Sequence, residues 1–129
     1  MPKGPTPNAR TVARPHWTTF VRGQRRAPGT MNKTEAAYGA HLEDRESRGE
    51  VLWYRFEGLT FKLAPDCRYT PDFLVMLPDG LMECHECKGF WAEDEKIKIR
   101  LAADLFPFRF VAMKKQAKKR GGGWSREDF

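Results

Sequence analysis

The sequence predicts one α/β domain, of the α+β kind, with a mixed sheet flanked by helices. Two segments repeat apolar residues at helical spacing, and five repeat them at strand spacing. Prolines, glycines and aspartates that favour turns separate these segments. The expected element order is therefore α-β-β-β-β-α-β, and the chain of 129 residues has the usual length of one domain.

The ends of the chain are basic and its middle is acidic. Residues 1–30 carry a net charge of +6, residues 31–113 carry −4 and residues 114–129 carry +4. Five of the nine prolines lie in the first segment, which buries too little apolar surface to offset its ordering entropy. We expect a flexible basic arm there, the folded domain in the middle and a basic C-terminal tail. Basic ends favour a nucleic-acid partner, although a solubilising tail has the same composition.

The first helix is expected to begin at Asn32 and to end before Gly49. Asn32 and Glu35 fit the capping-box pattern, and glycine is a common helix stop. Glu35 shares one helix face with Tyr38 and Leu42, which should point at the sheet. An acid on a buried face requires a partner, so Glu35 is a candidate site residue.

Strands are expected where apolar residues alternate with polar ones or form short apolar runs. The five segments are residues 51–56, 59–63, 72–77, 81–88 and 108–113. Residues 64–69 are expected to form a turn.

A second helix is expected over residues 93–105. Three acids occupy its first turn, where the helix dipole favours negative charge. Ile97, Leu101 and Leu105 recur at steps of four residues and form an apolar row, and Pro107 ends the helix.

The turn at residues 78–80 connects two candidate site residues. If the loop has three residues, with the glycine in a left-handed conformation, Asp72 lies directly opposite Glu86. Lys88 then points to the same face as Glu86. A two-residue loop would instead place Asp72 opposite Cys87 and send Glu86 to the other face.

Two carboxylates this close repel each other when both are ionised. A hard cation such as Mg²⁺ removes the conflict, because it binds carboxylate oxygens and keeps waters and substrate phosphate oxygens in its shell. A neighbouring lysine would stabilise the charge that develops on a phosphate under attack. Asp72, Glu86 and Lys88 are therefore candidate catalytic residues for phosphodiester cleavage, and Glu35 is a candidate third carboxylate.

Two other interpretations of these residues remain open. The same acids and lysine also fit ordinary surface ion pairs, each worth about 0–1 kcal/mol. Cys84 and Cys87 have the C-x₂-C spacing of half a zinc site, but the sequence offers no second pair, and a strand points these two side chains to opposite faces. We expect the three cysteines to be buried thiols in a reducing compartment.

Three short motifs carry a resemblance to a known family. Residues 32–35, 69–73 and 85–90 are NKTE, YTPDF and HECKGF. With these motifs the chain resembles a family of small, mostly phage-encoded proteins of the PD-(D/E)XK nuclease superfamily. The resemblance extends from about Met31 to Trp124. It implies a restriction-endonuclease-like core of order αβββαβ, with the site on the hairpin.

This resemblance implies roles for individual residues. Asp72 and Glu86 would be metal ligands, together with the backbone carbonyl of Cys87. Lys88 would be the catalytic lysine, and Glu35 would be the helix carboxylate of resolvase-like branches, acting at the metal as well. The implied cofactor is Mg²⁺, with Mn²⁺ able to replace it, and no nucleotide cofactor is expected.

The implied activity is that of a DNA endonuclease that leaves 5′-phosphate and 3′-hydroxyl ends. Branched DNA is the expected substrate, as for a Holliday junction resolvase, and two symmetric cuts require a homodimer. Trp53, Phe90 and Trp91 are candidates for the dimer surface. Alternatives are a nicking or DNA-end-processing nuclease and a non-catalytic DNA-binding module. We expect the chain to act in the cytoplasm, without a membrane partner.

The candidate DNA contacts are basic residues from three parts of the chain. They are Arg25 and Arg26 in the arm, Lys96 and Lys98 in the second helix, where Arg100 is a further possibility, and Lys114, Lys115, Lys118, Lys119 and Arg120 near the C-terminus.

Overall fold

The structure is a computed structural model that describes residues 31–129. The arm predicted over residues 1–30 lies outside the described residues. The described part of the chain consists of α1 (Lys33–Ser47), β1 (Trp53–Phe56), β2 (Phe61–Ala64), β3 (Cys67–Tyr69), β4 (Phe73–Met76), β5 (Met82–Lys88), a 3₁₀ turn (Glu93–Lys96), α2 (Ile97–Leu105), β6 (Arg109–Lys115), a second 3₁₀ turn (Lys118–Arg120) and β7 (Trp124–Asp128).

Five of the strands form one mixed sheet in the order β1-β4-β5-β6-β7. Neighbouring strands are antiparallel except for β5 and β6, which are parallel and are joined through α2. β2 and β3 form a separate antiparallel hairpin. The predicted α/β class with a mixed sheet is confirmed.

The two helices pack on opposite faces of the sheet. Tyr38 of α1 contacts the rings of Phe73 and His85. Ile99 of α2 belongs to a buried cluster that includes Leu74 and Cys84. Adjacent strand residues point to opposite faces, so these two clusters lie on the two sides of β4 and β5. Within residues 31–129, neither helix has the length and apolar character that a membrane span requires.

Helix α1 has the predicted bounds and the predicted stop signal. Gly49 adopts a left-handed conformation with φ of 79°. Its N–H donates to the carbonyl of Glu46 at 3.1 Å, and the N–H of Glu50 donates to the carbonyl of Arg45 at 2.9 Å. This pair of hydrogen bonds is the Schellman arrangement, which satisfies carbonyls that the helix end leaves without intrahelical partners.

The β4–β5 hairpin has the predicted three-residue loop. Leu77 and Leu81 close it, with the Leu77 N–H donating to the Leu81 carbonyl at 2.9 Å. Gly80 has a φ of 92°, as the bulge position of such a loop requires. In the ladder, Phe73 faces His85. This is the register that places Asp72, one residue before β4, opposite Glu86.

The prediction of a turn over residues 64–69 is wrong in its second half. Only Pro65 and Asp66 form the turn, and the next three residues are strand β3. The strand was missed because three residues are too few to show a period. The hairpin nevertheless has a defined inner side, since Phe61 and Tyr69 face each other across it and both are buried.

The predicted basic tail over residues 114–129 is also corrected. Strand β6 continues to Lys115, and β7 folds back to pair antiparallel with it. The reversal passes through Gly121, Gly122 and Gly123, all with positive φ, which only glycine adopts readily. Because β7 is the edge strand of the main sheet, the folded domain extends beyond residue 113.

A buried polar chain attaches β7 to the centre of the sheet. Tyr38 Oη donates to His85 Nδ1 at 2.6 Å, and His85 Nε2 donates to Glu83 at 2.8 Å. This tautomer is the neutral one, in agreement with burial that lowers the pKa of His85. Glu83, only 1% exposed, also accepts from Arg126 at 3.0 Å and from Arg109 at 3.3 Å. Although burial alone would raise it, hydrogen bonds from His85 and Arg126 lower the pKa of Glu83 to about 2.

Replacing Glu83 should therefore destabilise the domain. Glu83→Ala leaves buried donors without an acceptor, and we expect the free energy of unfolding to fall by about 2–3 kcal/mol. Urea denaturation followed by circular dichroism measures this change. Asp128→Ala is the control, because its ion pair with Arg126 is exposed and worth at most about 1 kcal/mol. Equal effects of the two substitutions would contradict the role given to Glu83.

Candidate active site

Asp72 and Glu86 meet at the open end of the β4–β5 hairpin. Strand pairing positions Asp72, because its carbonyl accepts the N–H of Glu57 at 2.7 Å. Its carboxylate oxygen Oδ2 accepts the backbone N–H of Cys87 at 2.9 Å. The carboxylates of Asp72 and Glu86 influence each other's ionisation directly. The structure thus brings together the two acids that the hairpin register predicted.

A tyrosine holds one oxygen of Glu86. Tyr69, the last residue of β3, donates its hydroxyl to Oε1 of Glu86 at 2.8 Å. The other oxygen, Oε2, lies 4.0 Å from Nζ of Lys88. The two oxygens of Glu86 therefore have different neighbours, and Oε2 faces the lysine.

Burial makes both acids weak, and neighbouring negative charge adds to the effect. Burial first, and then the negative charge of Asp72, raise the pKa of Glu86 to about 8. Burial also raises the pKa of Asp72 to about 6, although the hydrogen bond from Cys87 opposes the shift. Near neutral pH the pair therefore retains a proton that ordinary surface carboxylates would have lost.

Lys88 is held as a cation beside this pair. Although burial opposes the charge, the carboxylates of Glu86 and Glu95 raise the pKa of Lys88. Its ammonium lies 3.3 Å from Glu95, a residue of the 3₁₀ turn before α2, and 5.7 Å from the centre of the Trp91 ring. A permanently charged lysine suits electrostatic stabilisation of a phosphate better than proton abstraction.

Glu35 lies in the first turn of α1, two positions after the helix begins. Its negative charge contributes to the raised pKa of both Asp72 and Cys87, so it acts on the same site through space. It is partly buried, one turn from fully buried Tyr38. In the described part of the chain, however, no three histidine, cysteine or acidic side chains converge closely enough to hold a metal. The structure brings Asp72 and Glu86 together, and Glu35 influences Asp72 through its charge.

A pair of carboxylates is sufficient for the cation that was predicted. Mg²⁺ usually binds proteins through one or two carboxylates and fills its shell with waters and substrate phosphates. Asp72 and Glu86 supply hard oxygen donors with excess negative charge, and so fit Mg²⁺ or Mn²⁺. The Cys87 carbonyl stays a predicted third donor.

The cysteines have structural positions. All three are free thiols. Cys84 lies in the cluster under α2, where burial raises its pKa to about 12. Cys87 lies on the other face of β5, with Sγ 3.5 Å from Asp72, and burial raises its pKa as well. Thiols with a raised pKa are poor nucleophiles and poor metal ligands.

Basic residues continue from the same end of the sheet. In the parallel ladder between β5 and β6, Lys88 is the neighbour of Lys114. The chain then runs through Lys115 and the 3₁₀ turn Lys118–Arg120, all exposed. Five of the predicted DNA contacts thus form one exposed basic segment that starts beside the site.

The other predicted DNA contacts have different surroundings. Lys96 is mostly buried and pairs with Glu127 at 3.3 Å and Glu93 at 3.5 Å. Lys98 donates to the carbonyl of Arg68 at 3.0 Å, and Arg100 pairs with Glu93 at 3.3 Å. Internal contacts occupy all three side chains.

The remaining predicted DNA contacts, Arg25 and Arg26, lie outside the described residues.

Sequence reasoning missed two site neighbours, Tyr69 and Glu95. Tyr69 is part of the YTPDF motif but was given no role, because its segment was expected to be a turn. Glu95 was expected in the first turn of a regular helix, where the helix dipole favours acids. The structure instead has a 3₁₀ turn there, and Glu95 pairs with Lys88.

Comparisons of the chain with protein-family models, curated proteins and solved structures found no match. The family resemblance carried by the three motifs therefore stays a prediction.

Removal of the charge on Glu86 should stabilise the metal-free protein in a pH-dependent way. Below pH 4.5 Glu86 is protonated in both the folded and the unfolded states, so its ionisation then costs no stability. As the pH rises towards 8, only the unfolded state ionises freely, and wild-type stability falls relative to Glu86→Gln. At pH 8 we expect the variant to be more stable by at least about 1 kcal/mol, since one pKa unit corresponds to about 1.4 kcal/mol.

Urea unfolding in EDTA across this pH range measures the difference, with exposed Glu43→Gln on α1 as the control. Parallel pH curves for wild type and Glu86→Gln would contradict the raised pKa of Glu86.

Proposed function

We propose that the chain is a metal-dependent DNA endonuclease. The observation that carries this proposal is the pair of opposed, partly buried carboxylates, Asp72 and Glu86, with the cationic Lys88 next to them. Two acids held together against their repulsion destabilise the fold unless a cation neutralises them. Ordinary surface ion pairs would not raise the pKa of both acids, so that alternative explains the site less well.

Each residue has a distinct task in the proposed reaction. Asp72 and Glu86 would hold the cation; the Cys87 N–H fixes one oxygen of Asp72, and the Tyr69 hydroxyl fixes one oxygen of Glu86. When bound, Mg²⁺ would polarise the phosphodiester and make water a stronger nucleophile. Lys88 stabilises the negative charge that builds on the phosphate, and Glu95 keeps its ammonium in place.

The basic segment supports DNA as the substrate. The Asp72–Glu86 pair repels a polyanion, so binding requires positive charge near the site. Lys114 lies beside Lys88, and the exposed cations of residues 114–120 extend from it. Their position supports contacts with the phosphates that flank the scissile bond.

Branched DNA is the substrate class that we favour, as for a Holliday junction resolvase. The described domain is small, and its candidate DNA contacts are lysines and arginines that bind phosphates rather than bases, so the shape of the DNA would select the substrate. A nicking or DNA-end-processing nuclease is the second candidate, because the same site would serve either one.

Cleavage assays test the proposal directly. A supercoiled plasmid and a four-way junction are incubated with Mg²⁺ or with EDTA. We expect symmetric junction cuts that require the metal and that fall at least about 100-fold in Asp72→Asn, Glu86→Gln and Lys88→Ala. The matched controls are Asp66→Asn, Glu43→Gln and Lys62→Ala, all at exposed positions outside the site.

The outcomes separate the candidates. Absence of metal-dependent cleavage of both substrates by the wild type would overturn the enzyme and leave a DNA-binding module. Random degradation of linear duplex would overturn the resolvase and favour a nuclease of other specificity.

Salt dependence tests the basic segment. Each lysine that contacts a phosphate steepens the dependence of log affinity on log salt concentration by about 0.9. Lys118→Gln and Lys119→Gln should each flatten this slope by up to that amount, as fluorescence anisotropy with labelled junction DNA would show. The control is Lys62→Gln, an exposed lysine on β2. An unchanged slope in both variants would exclude the 3₁₀ turn from the DNA contact.

A further inference from the structure

Helix α2 has apolar residues on both of its sides. Ile99 and Ala102 are buried against the sheet. The row predicted from the sequence lies on the other side: Ile97 is 58% exposed, Leu101 39% and Leu105 49%. We call this row the outer α2 face. It is an unusual surface, since the helix of a single domain normally presents polar residues to water.

The row is contiguous, which distinguishes it from scattered apolar residues. Residues four apart in a helix are neighbours on its surface, so Leu101 contacts the positions of both Ile97 and Leu105. Three branched aliphatic side chains therefore form one stripe along the full length of the helix. Contiguous exposed apolar stripes flanked by charges mark interaction surfaces.

The charges beside the stripe indicate which partner fits. Arg100 and Asp104 are one turn apart on the same flank of the outer α2 face. Consider two α2 helices packed antiparallel and related by a two-fold axis at Leu101. The axis places the flank that carries Arg100 and Asp104 beside the same flank of the partner, with the chain direction reversed. Arg100 then lies within one turn of the partner's Asp104, and Ile97 packs on the partner's Leu105.

The opposite flank does not obstruct this pairing. Lys98 is the cation on that side, and its ammonium is bonded to the Arg68 carbonyl at 3.0 Å. Arg100 is half exposed and its contact with Glu93 lies at the surface, so its guanidinium can turn to a new carboxylate at little cost. Of the other candidates for a dimer surface, Trp53 and Trp91 pack against the core beneath α2.

We propose that the outer α2 face is the surface through which two copies of this chain form a two-fold dimer. The copies pair α2 antiparallel, with Leu101 at the axis and reciprocal Arg100–Asp104 ion pairs at the edge. The stripe of one short helix is small, so the dimer should be reversible and dependent on concentration. The inference stands on the exposed face and does not depend on nuclease activity.

Sedimentation velocity of the full chain over a concentration series, in EDTA and without DNA, tests the surface. We expect wild type to change from monomer to dimer as its concentration rises. Leu101→Glu should raise the dimer dissociation constant at least tenfold, because it places a charge at the centre of the apolar contact. The matched control is Leu59→Glu, at a leucine that is 37% exposed outside α2, which should leave the constant unchanged.

A charge exchange tests the antiparallel register. Arg100→Asp and Asp104→Arg should each weaken the dimer, since each creates like charges across the axis. The double variant should restore the wild-type constant, because it reverses both members of each pair. Thermal unfolding by circular dichroism verifies that every variant folds.

Three results would overturn the proposal. If the wild type stays monomeric at every concentration, the outer α2 face does not pair two copies of this chain. A Leu101→Glu dimer as strong as wild type would place the interface elsewhere, and absence of rescue in the double variant would exclude the antiparallel pairing. A monomeric wild type would also count against symmetric junction cuts, which require two copies of the site, but not against metal-dependent cleavage itself. Absence of cleavage would not affect the dimer.

Discussion

The register of the β4–β5 hairpin is the constraint on which the rest of the site depends. Side chains alternate along a strand, so a shift of one residue would send Glu86 to the other face of the sheet. The left-handed Gly80 fixes the three-residue loop, and that loop fixes the pairing of Phe73 with His85. This register alone places Asp72 opposite Glu86. One backbone conformation thus determines whether two acids meet.

The same strand carries a second ionic arrangement on its other face. Glu83 and His85 lie under α1, whereas Glu86 and Lys88 lie on the side of the β2–β3 hairpin. Hydrogen-bond donors keep the pKa of Glu83 unusually low, whereas burial and the charge of Asp72 raise the pKa of Glu86. The ionic arrangement under α1 therefore anchors the sheet, while the one on the other face opposes its own ionisation.

Much of this arrangement was predictable from short-range patterns. The hairpin loop, the α1 stop at Gly49 and the Asp72–Glu86 juxtaposition each depend on turn chemistry and strand alternation, which the sequence shows directly. Strand β3 was not predictable because three residues carry no period. The fold-back of β7 was not predictable either, because its polar sequence gives no sign that Arg126 will reach a buried glutamate.

The apolar row of α2 shows a different limit. Periodicity identifies which residues share a face of a helix but not which face meets the sheet. Ile99 and Ala102 occupy the buried side, although Ile97, Leu101 and Leu105 form the longer row. Two apolar faces on one helix leave the sequence ambiguous, and only the packing of β2, β3 and β6 decides between them.

The attachment of β7 also has a consequence for the order in which the domain matures. Strand β7 is translated after every other element of the sheet, yet its Arg126 pairs with Glu83 near the middle of the fold. During synthesis the central strand therefore carries a buried acid whose partner has not yet left the ribosome. The hydrogen bonds of Glu83 are therefore complete only after the glycine turn and β7 have emerged, since Arg126 is one of its donors.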